Sequence, residues 1–210
     1  MKNTLAAALL LALPLLAHAE EKGQFYITAG RFSPAHNVQF ANPSGQYGLA
    51  LGGGGRFSPH FSWDIDLLFA DQRLDTPQAF VPPNQFFVSQ SGRANLDTWG
   101  IGAIFKGILP VSTWLELYAG GGPGWYTSTL TVHRTRLLFP LPIPVSEDVE
   151  RTDKGMGFQW VAGANAKLGE RWALGFQWRR LDLKAQFGPE IKGDVNVGGN
   201  FGLLYSRWVF

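Results

Sequence analysis

Few residues of this chain have the chemistry for catalysis. His18, His36, His60 and His133 are the candidate bases, and Ser44, Ser89 and Ser128 are the hydroxyls that could accompany His36 and His133. A Ser-His-acid relay needs the base within hydrogen-bond reach of its nucleophile, and no spacing here singles out such a set. Gly52-Gly53-Gly54-Gly55 lacks the Lys-Ser/Thr that completes a phosphate loop. No His, Asp and Glu cluster has metal-ligand spacing. The absence of Cys excludes a disulfide framework, a thiolate metal site, a Cys nucleophile and a lipoprotein anchor. The expectation is a protein that is not an enzyme and takes no cofactor or metal. The remaining chemistry is ionic. Asp64, Asp66, Lys106, Glu116, Lys167, Arg179 and Arg207 share one parity of strand-like segments, where opposite charges can pair.

The composition narrows where such segments sit. The 210 residues carry 18 Lys+Arg against 16 Asp+Glu, a net +2 that is too small and scattered for a nucleic-acid footprint. Charged residues make up 16% of the chain, well under the ~25% usual in soluble domains, while Gly reaches 26 and aromatics 14%. Much of the surface is therefore expected to face something other than water. Lys2, the apolar run Leu5 to Leu16 and Ala17-His18-Ala19 form the charged, apolar and small-x-small parts of a secretory signal, with cleavage expected after Ala19. The predicted organisation is a signal peptide over 1–19 and one domain over 20–210. The apolar run is short of the ~20 residues a spanning helix needs, so entry into a membrane would be by strands.

From Gln24 onward the pattern has a period of two, with segments near 24–32, 46–56, 61–72, 96–106, 113–128, 157–168, 171–183 and 195–210. In the third, Trp63, Ile65, Leu67 and Phe69 alternate with Asp64, Asp66, Leu68 and Ala70. In the seventh, Trp172, Leu174, Phe176 and Trp178 alternate with Ala173, Gly175, Gln177 and Arg179. Such alternation fits a half-buried soluble sheet or a transmembrane barrel. The connections separate the two: they run long, short, long, short, long, short, long. Short periplasmic turns and long outer loops are the habit of a membrane barrel, and an even strand number puts both termini on the periplasmic side.

The eight Trp agree. Trp63, Trp114, Trp172 and Trp208 fall at segment ends on the predicted periplasmic side, and Trp99, Trp125, Trp160 and Trp178 toward the outer ends. Two aromatic girdles at the membrane borders are the expected meaning. Trp114 shares parity with Glu116, so it either points inward at the rim or follows a bulge. The predicted fold is all-β, an eight-stranded antiparallel up-and-down transmembrane β-barrel.

The chain ends Tyr205-Ser206-Arg207-Trp208-Val209-Phe210, which resembles the C-terminal strand signal of bacterial outer-membrane barrels. Ser206 departs from the apolar residue usual there. The start Lys22-Gly23-Gln24-Phe25, with Gly30 and Pro34, and the stretch Trp178 to Ala185 are similar to the OmpW family, within the broader OmpA/OmpX-like superfamily of small barrels. This resemblance implies a Gram-negative outer membrane and recognition of Trp208 and Phe210 by the barrel-assembly machinery. It also implies contact with outer-membrane lipids and lipopolysaccharide. Some small barrels modify lipid A, but where the deacylases carry a His-x-Ser pair this chain has Arg180-Leu181-Asp182.

An eight-stranded barrel is just wide enough for its own side chains or one small ligand. The seven charged residues lie mostly toward the periplasmic end, and Ala70, Gly100, Gly120, Gly122, Gly124 and Gly163 lie higher. Two interiors fit: a cup plugged below and open above, or a filled barrel whose polar groups satisfy one another. Two outer loops are apolar and are candidates for a hydrophobic funnel, through Phe80, Phe86 and Phe87 in one and Leu137, Leu138 and Phe139 in the other. The Pro spacing of the second argues against regular strand there. Pro123 marks either a weak seam or a bulge. OmpW-like barrels are thought to admit small hydrophobic molecules, so the resemblance implies a narrow uptake route for such solutes. The other functional expectation is a non-transporting surface barrel with adhesive, envelope-structural or host-interaction loops.

Overall fold

The computed structural model describes residues 23–34, 42–76, 92–138, 143–188 and 194–210. Its strands are β1 (Gln24–Pro34), β2 (Asn42–Ser58), β3 (Phe61–Thr76), β4 (Gly92–Pro110), β5 (Leu115–Leu138), β6 (Ile143–Lys167), β7 (Trp172–Asp182), β8 (Lys184–Ala185), β9 (Val195–Asn196) and β10 (Gly199–Val209). Eight of them close one antiparallel barrel, in which each strand pairs with its chain neighbour and β1 pairs with β10. The closing ladder runs from Gln24 opposite Val209 to Pro34 opposite Gly199. Closure leaves no bare edge at membrane depth, where unpaired N–H and C=O groups have no water to bond. β8 and β9 form a separate two-stranded ribbon between β7 and β10.

The short turns follow β2, β4 and β6, at the end that carries both termini. In the last of these, Gly169 has φ 141°, a conformation an L side chain rarely adopts. The predicted signal over 1–19 lies outside the described residues.

Beyond strand ends shifted by up to four residues, three features differ from expectation. The last segment, 195–210, is two strands: Val197 and Gly198 turn between them, and both amides donate to the Leu183 carbonyl. Trp114 sits in the turn before β5, 57% exposed, so strand parity does not govern it. The third outer connection is mostly strand, with the β5–β6 ladder continuing to Leu137 opposite Pro144 and Leu138 opposite Ile143. Thr129 and Val132 on β5, facing Thr152 and Val149 on β6, favour the pleated form. Pro144 is tolerated because β6 has no ladder partner there on its other side among the described strands.

Inside, the barrel has two storeys. Toward the termini the lumen is polar and ionic. Above it Phe32, Leu68, Leu96, Tyr126, Leu181, Phe201 and Leu203 pack into one apolar cluster with Val197 and Phe187 of the ribbon region. The open-topped cup is therefore corrected: the described upper lumen is filled. The glycines do not leave space: the Tyr126 ring lies over Gly100 and Gly124 and the Tyr118 ring over Gly163, while at Gly120 and Gly122 the backbone of β4 closes in. Tyr26 lies directly over Gly52, where an added Cβ would strike its ring.

The outward face is apolar between two aromatic levels. Phe25, Ile27, Leu67, Phe69, Ile101, Phe105, Leu117, Leu174, Phe176 and Leu204 are all exposed. Trp172 and Trp208 meet edge to face at 4.4 Å near the termini, with Trp63 on the same side. Trp99, Trp125, Trp160 and Trp178 are exposed on the outward face at the other border. Pro123 marks no register shift, which corrects the bulge. Between Gly102–Gly124 and Phe105–Gly121 the β4–β5 ladder skips two rungs and resumes in register.

Candidate functional site

Strand alternation puts all seven charged candidates inside, and the structure brings them together in three tiers. The uppermost is Asp66 on β3 with Arg179 on β7. Arg179 Nη2 stands 2.6 Å from Asp66 Oδ2, and neither side chain has any exposure. Charges this dry need their remaining donors and acceptors engaged, and within this pair only Arg179 Nε is buried without a hydrogen-bond partner. Arg179 also donates to Gln159 Oε1 (3.1 Å) and Gln177 Oε1 (3.2 Å). Gln159 Nε2 returns a bond to Asp66 Oδ1 at 3.3 Å, and the Tyr26 hydroxyl donates to Asp66 Oδ2 at 3.2 Å.

In the middle tier Lys106 on β4 pairs with Asp64 on β3. Gln24 Nε2 donates to the other Asp64 oxygen at 2.7 Å. The Lys106 ammonium lies 5.0 Å from the ring centroids of both Tyr26 and Tyr118, and 5.7 Å from that of Tyr205. Within this range an aromatic face attracts a cation. The cage holds the lysine away from water while leaving its charge compensated.

The lowest tier centres on Glu116 at the start of β5. Arg56 grips it with two bonds, Nη1 to Oε1 at 3.1 Å and Nη2 to Oε2 at 2.6 Å. Lys167 Nζ is 2.6 Å from Oε1, and Arg207 Nη2 is 3.3 Å from Oε2. One carboxylate thus serves three cations from β2, β6 and β10. Sequence reasoning missed Arg56 and the glutamine and tyrosine partners. Their signal was parity with Gly54 on β2 and with Asp64 and Asp66 across the ladder, which becomes visible only once register is known.

The remaining candidates separate from this network. Phe80, Phe86, Phe87 and Phe139 lie outside the described residues, while Leu137 and Leu138 belong to the β5 backbone ladder. Trp208 and Phe210 face outward and are exposed, and the Phe210 amide donates to the Gly23 carbonyl at 3.0 Å. His133 accompanies Asp148 at 2.6 Å on the outward side of the β5–β6 hairpin. Ser128 is buried and bonded to Thr98 at 3.0 Å, so these two potential relay members do not meet. His60 lies in the turn between β2 and β3, its Nδ1 3.3 Å from the Ile108 carbonyl.

The arrangement can therefore hold charge and block a pore, and comparisons with known proteins agree on the architecture. A family model described as outer membrane protein β-barrel domain matches residues 4–206. Among curated proteins none matches the sequence. Among solved structures, the Neisserial surface protein A (NspA) aligns over 90% of this chain and 97% of its own, with 13% identity and a TM-score of 0.54. Ail, the attachment invasion locus protein of Yersinia pestis, aligns over the same shares with 12% identity and a TM-score of 0.44. At 13% identity the likeness to NspA concerns the fold. With the family model covering nearly the whole chain, a closed antiparallel barrel of eight strands, and an apolar band between two tryptophan levels, this chain belongs to the outer membrane protein β-barrel domain family.

Proposed function

We propose that this protein is a closed surface barrel that binds an extracellular protein partner through its β5–β6 hairpin. One observation carries the reading: among the described strands, β6 from Ile143 to Gly157 is paired by β5 on one side, and β7 joins the other side only at Phe158. A row of strand N–H and C=O groups without a ladder is a template for an added strand. Short turns on the periplasmic side are the habit of such barrels, which supports an extracellular position for this hairpin. The filled lumen supports a binding role over conduction, because the three ionic tiers and the apolar cluster occupy the described interior.

The test shortens the hairpin. Arg134 and Glu147 face each other in the ladder, so replacing residues 135–146 with an Asn-Gly turn closes the strands without disturbing the barrel below. Cells displaying the shortened protein are expected to lose binding to host-cell and matrix surfaces that the native protein confers. Equal binding by the two proteins defeats the proposal.

A second reading, uptake of small hydrophobic molecules in the manner of the OmpW family, is favoured by the two skipped rungs at Ala103–Ile104 opposite Gly122–Pro123. Liposome uptake of a hydrophobic solute by the purified barrel would support it. Contact with lipid and lipopolysaccharide is supported by the apolar outward band, with Arg31 and Arg180 exposed at its outer border. Recognition by the assembly machinery is supported by the outward Trp208 and Phe210. No catalytic role is proposed.

A further inference from the structure

The barrel floor holds more positive than negative charge. Its cations are Arg56, Lys106, Lys167, Arg179 and Arg207, and its carboxylates are Asp64, Asp66 and Glu116. Asp66 and Asp64 each neutralise one cation, so Glu116 alone answers the other three. Glu116 and Arg207 are nearly fully buried, at 2% and 5% exposure. In a confined site of low dielectric, an uncompensated cation is costly unless an anion joins it.

Beside this cluster lies a chamber of about 10 Å³, lined by Arg56, Ser62, Lys106, Glu116, Asn165 and Arg207. That is room for the centre of about one water-sized sphere. Two atoms of its lining residues, Arg207 Nε and Asn165 Oδ1, are buried without a hydrogen-bond partner. A buried guanidinium N–H left unbonded is unfavourable. The Asn165 amide can be turned so that its NH2 takes the place of the oxygen, which would give the chamber a second unengaged donor.

We infer that this chamber is a binding site for one small monovalent anion of the halide class, reached from the periplasmic mouth. The donors around it are Arg207 Nε, the Asn165 amide, the Ser62 hydroxyl and the cationic ends of Arg56 and Lys106. Size selects against phosphate and other oxyanions. A water molecule would fill the same volume and accept the same hydrogen bonds, but it would leave the charge excess in place. Arg56 and Lys167, 21% and 36% exposed, stand at the mouth and supply the entry path.

Crystals of the folded barrel grown in sodium bromide test the site directly. One anomalous peak beside Arg207 Nε and Asn165 is expected, and density that scatters as water, with no anomalous signal, overturns the proposal. In solution, urea unfolding of the barrel in phosphatidylcholine vesicles is compared in bromide and in gluconate at constant ionic strength. The midpoint is expected to be higher in bromide, because a ligand of the folded state stabilises it. Arg56→Gln and the more exposed Lys167→Gln should each shrink that difference, while Arg31→Gln on the outward face should leave it intact. Equal midpoints in the two salts, or a difference unaffected by both floor variants, also overturns it.

Discussion

Asp66 and Arg179 reach each other from β3 and β7 at 2.6 Å inside the barrel, both wholly removed from solvent. The two strands are not neighbours in the sheet, so the pair ties the barrel across its lumen rather than along its wall. Removing one partner leaves the other charged, dry and unpaired. Asp66→Asn or Arg179→Met is therefore expected to destabilise the barrel by about 3–5 kcal/mol in urea unfolding from lipid vesicles. The double variant Asp66→Leu with Arg179→Met should recover most of that loss. Additive losses in the double variant would show that the pair is not coupled.

Gly52 and Gly53 are adjacent on β2 but face opposite ways. A Cβ on Gly52 would meet the buried Tyr26 ring, whereas one on Gly53 meets only the Gln24 carbonyl oxygen, at 3.3 Å. Overpacking a filled interior costs about 1–3 kcal/mol. Gly52→Ala should lower the urea midpoint accordingly, and Gly53→Ala should change stability by less than about 0.5 kcal/mol. Equal effects at the two positions would contradict the ring-over-glycine packing.

Asp71 and Asp97 stand directly opposite one another on β3 and β4, beyond the Trp99 level and on the outward face. Partial burial, and then the facing Asp71 carboxylate, push the Asp97 carboxyl up from its ordinary value. An acid whose pKa is raised by folding is harder to ionise in the folded state. The resulting penalty is present at neutral pH, fades as pH falls through the folded pKa, and is gone below the unfolded one. Asp97→Asn is expected to stabilise the barrel at pH 7 by roughly 0.2–1 kcal/mol, the scale of a cross-strand pair. Urea midpoints measured between pH 7 and pH 3 should show this advantage disappear with acidification.

The three tiers predict a barrel without steady ion conductance. Planar-bilayer recording of the purified protein should show a closed baseline. Large sustained current at neutral pH would mean that the floor opens in the membrane and that the ionic tiers do not seal it.

Much of this architecture was legible because a strand has only two faces. Alternation alone assigned Asp64, Asp66, Lys106, Glu116, Lys167, Arg179 and Arg207 to one side, and the alternating loop lengths ordered eight strands up and down. A closed antiparallel sheet preserves both features whatever its register. Trp114 escaped the argument because it belongs to a turn, where the period of two does not apply. The length of the β5–β6 hairpin was hidden by prolines that read as strand breakers, although a strand without a ladder partner on one side has no use for the missing N–H.

By itself the sequence determined the number of barrel strands, their inward and outward faces, the two tryptophan borders and the sign of each buried charge. All of these are local patterns repeated along the chain. Only the tertiary structure decided which charges meet, that Arg56 joins Lys167 and Arg207 on Glu116, and that Tyr26 fills the space over Gly52. It also decided that the described part of the upper lumen is packed and that, among the described strands, one edge of β6 is left without a ladder. These depend on register and barrel closure, which set distances between residues as far apart in sequence as Asp66 and Arg179.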